Sequence, residues 1–351
     1  MRGKRSIPRS VASPVQAEPR WVGAAEIRAS LAPERAVAAL RAVLDSGFSP
    51  ETDAPRGRVD TPGGSLLYMP SSLTLRDGYV CSGVKILTLT PANGVLGAPV
   101  IQGTYQFFGG PQQAPVAVLD GAALTSVRTP AVSALGAEML LSPEAREEAL
   151  RMLIIGTGVQ AWEHARTFAA LFSLGEIVVA GRSYGKAEAL AARIRAELGV
   201  PSRAVTMDEG PLGSPLEPEV RRADLIVTCT AATEPLFRGE WVSDQAVVIA
   251  VGAHTPEARE LDDTLMGRAE VLVESRSTAT RESGEVIQGL ENEVIVSQYS
   301  LVTLAEMTLF ERRGFARPGV FTTTGMPWED LALAAEVVRG LGEETAAGGW
   351  V

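Results

Sequence analysis

The spacing of apolar and polar positions changes character along the chain. Residues 31–46, LAPERAVAALRAVLDS, place apolar side chains at helical intervals and predict a helix that stops at Gly47. Shorter apolar runs follow: SLLYMP (65–70), GVKILTLTP (83–91), APVIQGTYQFF (98–108) and APVAVLDG (114–121). They predict strands, with PANG (91–94) as a turn between two of them. This first part therefore predicts a helix and then a mostly antiparallel sheet. Residues 123–142, ALTSVRTPAVSALGAEMLLS, are rich in small residues and predict a buried helix.

Strands and helices then alternate. Strands are predicted near 152–155, 176–180, 224–228, 247–251 and 270–273, and helices near 160–173 and 184–198. Runs such as DLIVTCT and AVVIAVG are apolar on both faces, as in a parallel sheet covered on both sides. Residues 208–220, DEGPLGSPLEPEV, predict a surface loop. Residues 322–342 end in an amphipathic helix opened by Trp328, Glu329 and Asp330, which suits a return to the first part of the chain. The fold class is α/β: a central Rossmann-type doubly wound sheet plus an α+β substrate and dimerisation domain. The expected division is a flexible arm at 1–20, a substrate domain at 21–128 and 320–351, and a dinucleotide domain at 129–319.

Composition narrows the function. The formal net charge of −10 would repel a phosphate backbone, so no nucleic acid partner is expected. No apolar run is long enough to span a membrane, and the basic N-terminal stretch lacks the apolar centre of a secretory signal. A cytoplasmic location is expected. Two histidines and two cysteines, His164, His254, Cys81 and Cys229, form no metal-ligand spacing, so no metal is expected. Cys81 and Cys229 read as small buried hydrophobes, and His164 as a residue of the core or surface.

Gly156-Thr157-Gly158-Val159-Gln160-Ala161 fits G-x-G-x-x-G/A directly after the strand MLII and before a helix. The first glycine permits a tight turn, the second lets backbone approach a pyrophosphate, and the helix start offers free N–H groups. The second strand ends in Gly181-Arg182-Ser183, with Lys186 beyond, where an acid would bind the ribose hydroxyls. Cations there favour a 2′-phosphate, so NADP(H) is the expected cofactor, with NAD(H) the alternative.

The blocks PRGRVDTPGGSLLYMPS, GVKILTLTPANG, QGTYQFF, VAVLDGAALTSVRTPAVSALGA, GTGVQAWEH, ADLIVTCTAATEPLF, AVGAHTPEARELD and TTTGMPWEDLALA come in the order found in the ornithine cyclodeaminase/mu-crystallin family, which the chain resembles from about residue 50 to 342. The resemblance implies a homodimer joined through its sheets and hydride chemistry at a C–N bond. It places Arg56, Lys85 and Arg128 on the substrate carboxylate, with Arg58 as an alternative to Arg56. It places Thr104, Thr129, Thr230, Val251, Gly252 and Gly325 around the dinucleotide. A glutamate that ornithine cyclodeaminases carry before the Met-Pro pair is here Leu67, and an aspartate after the Val-Gly pair is here His254. A lysine often found three places before the last glycine is Thr322. Without the two carboxylates, little is left to hold the distal ammonium of ornithine.

The expected activity is therefore NAD(P)H-dependent reduction of an imine or ketimine carboxylate, or the reverse oxidation of an amino acid. Lys85 and His254 are the candidate proton carriers. Ornithine- or lysine-type cyclodeamination, opine-like dehydrogenation, and NADP(H) binding without turnover are the alternatives. Tyr68, Tyr105, Phe107 and Trp328 are candidate walls of the substrate pocket.

Overall fold

Alternating and continuous apolar runs segregate into two sheets, as their patterns require. The computed structural model describes residues 18–207, 214–309 and 316–346. Residues 1–17 of the expected arm and 208–213 of the expected loop lie outside them.

The first sheet holds β1 (Arg20–Val22), β2 (Gly57–Thr61), β3 (Gly64–Thr74), β4 (Val80–Leu89), β5 (Ile101–Gly109) and β6 (Ala114–Asp120) in the order β1-β6-β5-β4-β3-β2. All pairs are antiparallel except the edge pair β1–β6. Strand alternation sends Met69, Lys85 and Tyr105 to the inner face, while Tyr68 and Ile86 face outward. Helices α1 (Ala24–Ser30), α2 (Pro33–Asp45) and α3 (Gly121–Leu140) follow the inner face and the junction with the second sheet. Asp120 ends β6 and caps α3, accepting from the Ala123 N–H at 2.9 Å. Nearly every residue of α3 is buried, which its small side chains allow.

The second sheet holds β7 (Leu150–Ile155), β8 (Leu174–Gly181), β9 (Ser202–Thr206), β10 (Leu225–Thr228), β11 (Val247–Ala250), β12 (Glu270–Val273), β13 (Val302–Thr303) and β14 (Gly319–Thr322). The order is β13-β12-β14-β11-β10-β7-β8-β9, and every pair is parallel. The strand order reverses at β7 and β10, so a crevice opens beyond their carboxyl ends. The C-terminal helix, Pro327–Ala346, returns to pack on β3, β4 and α2.

The expected boundaries fall inside elements, the one between 20 and 21 within β1. Residues 128 and 129 lie within α3, and residue 320 lies in β14, which inserts between β11 and β12. Residues 217–220 of the expected loop belong to a short helix, Glu217–Arg222, with Pro218 in its first turn. No described helix is long and apolar enough to cross a membrane.

Candidate functional site

Two cavities meet at the crevice. The first, about 600 Å³, runs from Gly156 and Thr157 to Arg182, Ser183 and Lys186. Gly156 has φ +130°, and a Cβ there would stand 2.4 Å from the Cys229 carbonyl oxygen, so only glycine closes this turn. Gly158 then caps the helix Val159–Leu171 with no side-chain cap, leaving its first N–H groups facing the cleft. Arg182 and Lys186 are exposed at the far end and form no ion pair among the described residues. Ser183 caps the next helix, accepting from the Lys186 N–H at 3.4 Å. These features fit a dinucleotide: a glycine turn, a helix start for phosphate and exposed cations at the far end. Val159 lies on the outer side, where it is exposed and lines an adjoining groove with Gly158.

The second cavity, about 300 Å³, lies between the sheets and shares Cys229 and Thr230 with the first. Arg56, Lys85, Arg128, Thr129, Gln160, Val251, Gly252, His254 and Gly325 all line it. Thr104 lines neither cavity, because it leaves β5 on the face opposite Lys85 and Tyr105, paired with Ile86 and Asp120. Arg58 does not line the second cavity either; it pairs with Asp60 at 2.9 Å on the exposed edge strand. The aromatic walls expected from sequence are elsewhere. Tyr105, Phe107 and Trp328 are core residues, Trp328 against Phe48, and Tyr68 faces outward. Thr125 and a set of aliphatic side chains take their place. Leu67 and His254 both border the cavity, and no carboxylate is among its described lining residues.

Each cation is held by an acid from another element. Lys85, 1% exposed in the middle of β4, pairs its Nζ with Asp330 Oδ2 at 2.6 Å. Burial pushes the Lys85 ammonium down to about 8, helped by Arg128 and Arg56 and opposed by Asp330. Arg128 reaches Asp330 at 3.3 Å and Glu329 at 3.4 Å. Arg56 pairs with Glu282 at 2.6 Å and donates to the carbonyls of Thr324 and Gly325 at 2.8 and 2.7 Å. Gly325 has φ +78°, and a Cβ there would lie 2.1 Å from Arg128 Nη1.

The acids themselves are anchored by backbone. Glu274 accepts from the Thr323 hydroxyl and, at 3.0 Å each, from the N–H groups of Thr324 and Gly325. Glu329 accepts from the Met326 N–H at 3.1 Å, and burial with Glu274 alongside holds its carboxyl well above the usual range. One proton between the two removes a like-charge clash. Asp53 takes the Trp328 N–H at 2.8 Å and the Ser71 hydroxyl at 2.7 Å, so it ties the start of the C-terminal helix to β3.

Beneath the shared rim sits Glu260, fully buried. It accepts from the Thr228 hydroxyl at 2.6 Å, the Thr230 N–H and hydroxyl at 2.9 and 2.6 Å, and the Gly252 N–H at 2.7 Å. It fixes the loops after β10 and β11. Glu285 accepts from the Glu260 N–H at 2.9 Å, and burial pushes its carboxyl up to about 7. His164 is also wholly buried, with Gln160 O and Ser133 Oγ at 2.7 and 2.9 Å, and burial lowers it to about 4. Cys229, expected as a buried hydrophobe, instead borders both cavities, with its Sγ 3.7 Å from His164 Nδ1.

The sequence model of the ornithine cyclodeaminase/mu-crystallin family matches residues 27–344. The chain belongs to this family. It is 32% identical over 271 residues to the ketimine reductase mu-crystallin of Mus musculus, covering 77% of this chain and 79% of that one. It is 32% identical to the Delta(1)-pyrroline-2-carboxylate reductase 2 of Burkholderia ambifaria, covering 77% of this chain and 78% of that one. In fold it matches the Thermococcus litoralis Delta(1)-pyrroline-2-carboxylate reductase, whose structure holds NADH and L-proline, with TM-score 0.81 at 22% identity over 93% of this chain and 98% of that one. Within the family architecture, the acids around the cations come from segments with no contiguous motif: Asp53 after α2, Glu274 after β12, Glu282 in a short helix, and Glu329 and Asp330 in the last helix. Of these, only Glu329 and Asp330 gave a sequence signal, and it read as acids at the positive end of a helix.

Proposed function

We propose that the chain is an NAD(P)H-dependent oxidoreductase that reduces the C=N bond of a small imine carboxylate. The observation that carries this reading is the convergence of Arg56, Lys85 and Arg128 on a cavity that opens into the glycine-turn cleft at Cys229 and Thr230. The pyrroline and ketimine reductases among its relatives support the same reaction class.

Arg128 and Arg56 offer guanidinium forks to a carboxylate, and both are held in place before it arrives. Lys85 carries a proton at neutral pH, and its burial makes that proton easier to give than one on a solvent lysine. That proton goes to the imine nitrogen. His254, on the exposed rim with Gly252 O at 3.1 Å, can exchange protons with solvent. When bound, the reduced dinucleotide supplies the hydride, two electrons with one hydrogen, to the imine carbon. The balance is one hydride at carbon, one proton at nitrogen, and an amino acid product.

The exposed cations Arg182 and Lys186 support a preference for NADPH over NADH. The outward face of the first sheet, with Tyr68 and Ile86 exposed, supports a homodimer. The test is nicotinamide absorbance with a cyclic ketimine carboxylate and each cofactor. Oxidation of NADPH well ahead of NADH, reversed in Arg182→Asp, is expected. Binding of both cofactors without oxidation by this ketimine or by imines of 2-oxo acids would overturn the reductase reading.

A further inference from the structure

The second cavity has a charged end and an apolar end. On the inner face of the first sheet, register sets three rows side by side: Met69, Lys85 and Tyr105; Leu67, Leu87 and Gly103; Ser65, Leu89 and Ile101. The cations sit at the first row. Beyond it, Leu67, Leu87, Leu89 and Ile101 line the cavity with hydrocarbon, joined by Thr88 of β4 and Thr125 of α3. From Lys85 to Leu89 the strand advances four residues, about 13 Å at the rise of an extended chain. Gly103 puts no side chain into this path, and none fits, since a Cβ there would lie 2.0 Å from the Ile86 carbonyl oxygen. The far end is open: Leu89 is half-buried and Ile101 is 38% exposed.

We propose that this strip receives an uncharged hydrocarbon group at the end of the substrate remote from its carboxylate. The proposal rests on the imine-carboxylate reading and names the substrate class within it: imine carboxylates bearing an aliphatic or aromatic substituent that reaches past the ring or imine core. A carboxylate seated at the three cations has its remote atoms directed along β4 toward Leu89. An ammonium there would lose water and meet no acid among the described lining residues, a costly exchange. A hydrocarbon tail would cover surface that is otherwise wet. The strip also ends at a mouth, so tail length is not capped as it would be by a closed pocket.

The test is a series of cyclic ketimine carboxylates carrying, on the ring carbon remote from the carboxylate, hydrogen, methyl, propyl, phenyl or aminoethyl. kcat/KM is read from cofactor oxidation. It should rise about two- to fourfold per methylene, the range for partial to full burial at about 0.8 kcal/mol each. The aminoethyl compound should fall at least tenfold below propyl. Leu89→Asn and Ile101→Asn should each shrink the propyl-to-hydrogen ratio; the second sits at the exposed strand end, where the fold tolerates it. Turnover of the unsubstituted ring with a flat or falling series would overturn the tail site and leave the reductase reading intact. Preference for aminoethyl would overturn it as well. Turnover of no member would overturn the reading on which it stands.

Discussion

At the scale of single residues, Lys85 is where position and protonation meet. Its amine is poised near pH 8 because burial and two arginines oppose one aspartate. The group donates and attracts while protonated, so kcat/KM for reduction is expected to hold at neutral pH and fall as pH rises through about 8. Lys85→Met should lower kcat/KM by roughly 10²–10⁴-fold across the range, as loss of a general acid does. A profile flat through pH 8 to 9 in wild type would exclude Lys85 as the proton carrier. Lys85 was legible in the sequence because a lysine in VKILTL breaks an apolar strand. Arg56 and Arg58 were not separable there, since residues two apart share a strand face; only their contacts distinguish them, Arg56 to Thr324 and Gly325 and Arg58 to Asp60. Asp330 was invisible as a partner, since an acid at a helix start already has a local explanation.

At the scale of elements, the turn before the C-terminal helix fixes the arginine pair. Gly325 takes a left-handed φ, gives its carbonyl to Arg56 and leaves room for Arg128. Gly325→Ala is expected to displace the Arg128 fork, raising KM for the carboxylate substrate about tenfold or more while cofactor affinity, measured by fluorescence titration, changes little. Loss of cofactor affinity with KM for the carboxylate substrate unchanged would instead place Gly325 in the dinucleotide site alone. Long periodic elements were legible: α3, the two helices after β7 and β8, and the apolar strands of the parallel sheet. Length did not decide this, since β10, β11 and β12 also have four residues. β14 was not legible, because nothing local in Gly319–Thr322 marks its insertion between β11 and β12. The edge strand β2 is largely exposed and lacks the alternation that marks a strand.

At the scale of the whole molecule, two buried groups set opposite pH slopes. His164 titrates near 4 in the folded chain and near 6.5 when exposed, so folded stability falls as pH drops through that window. Glu285 titrates near 7 when folded and near 4.5 when exposed, so its contribution is present below 4.5 and is lost as pH rises through about 7. Denaturant melts across pH 4–8 should show Glu285→Gln losing less stability than wild type on the alkaline side. An unchanged slope would mean that Glu285 keeps its exposed titration in the fold.

The clamp is closed by contacts of very long reach along the chain. Asp53 meets Trp328 across 275 positions, and Arg56 meets Gly325 across 269. The residues around the nucleotide cleft, by contrast, all fall between Gly156 and Leu236. Loop closure makes distant pairings late and slow. During refolding from denaturant, nucleotide affinity is therefore expected to return ahead of turnover, with the lag read by stopped-flow binding beside a discontinuous assay. Simultaneous return would make the two halves of the site one cooperative unit. A staggered return would give this chain a history: while it folds, it is first a holder of nucleotide and only afterwards a catalyst.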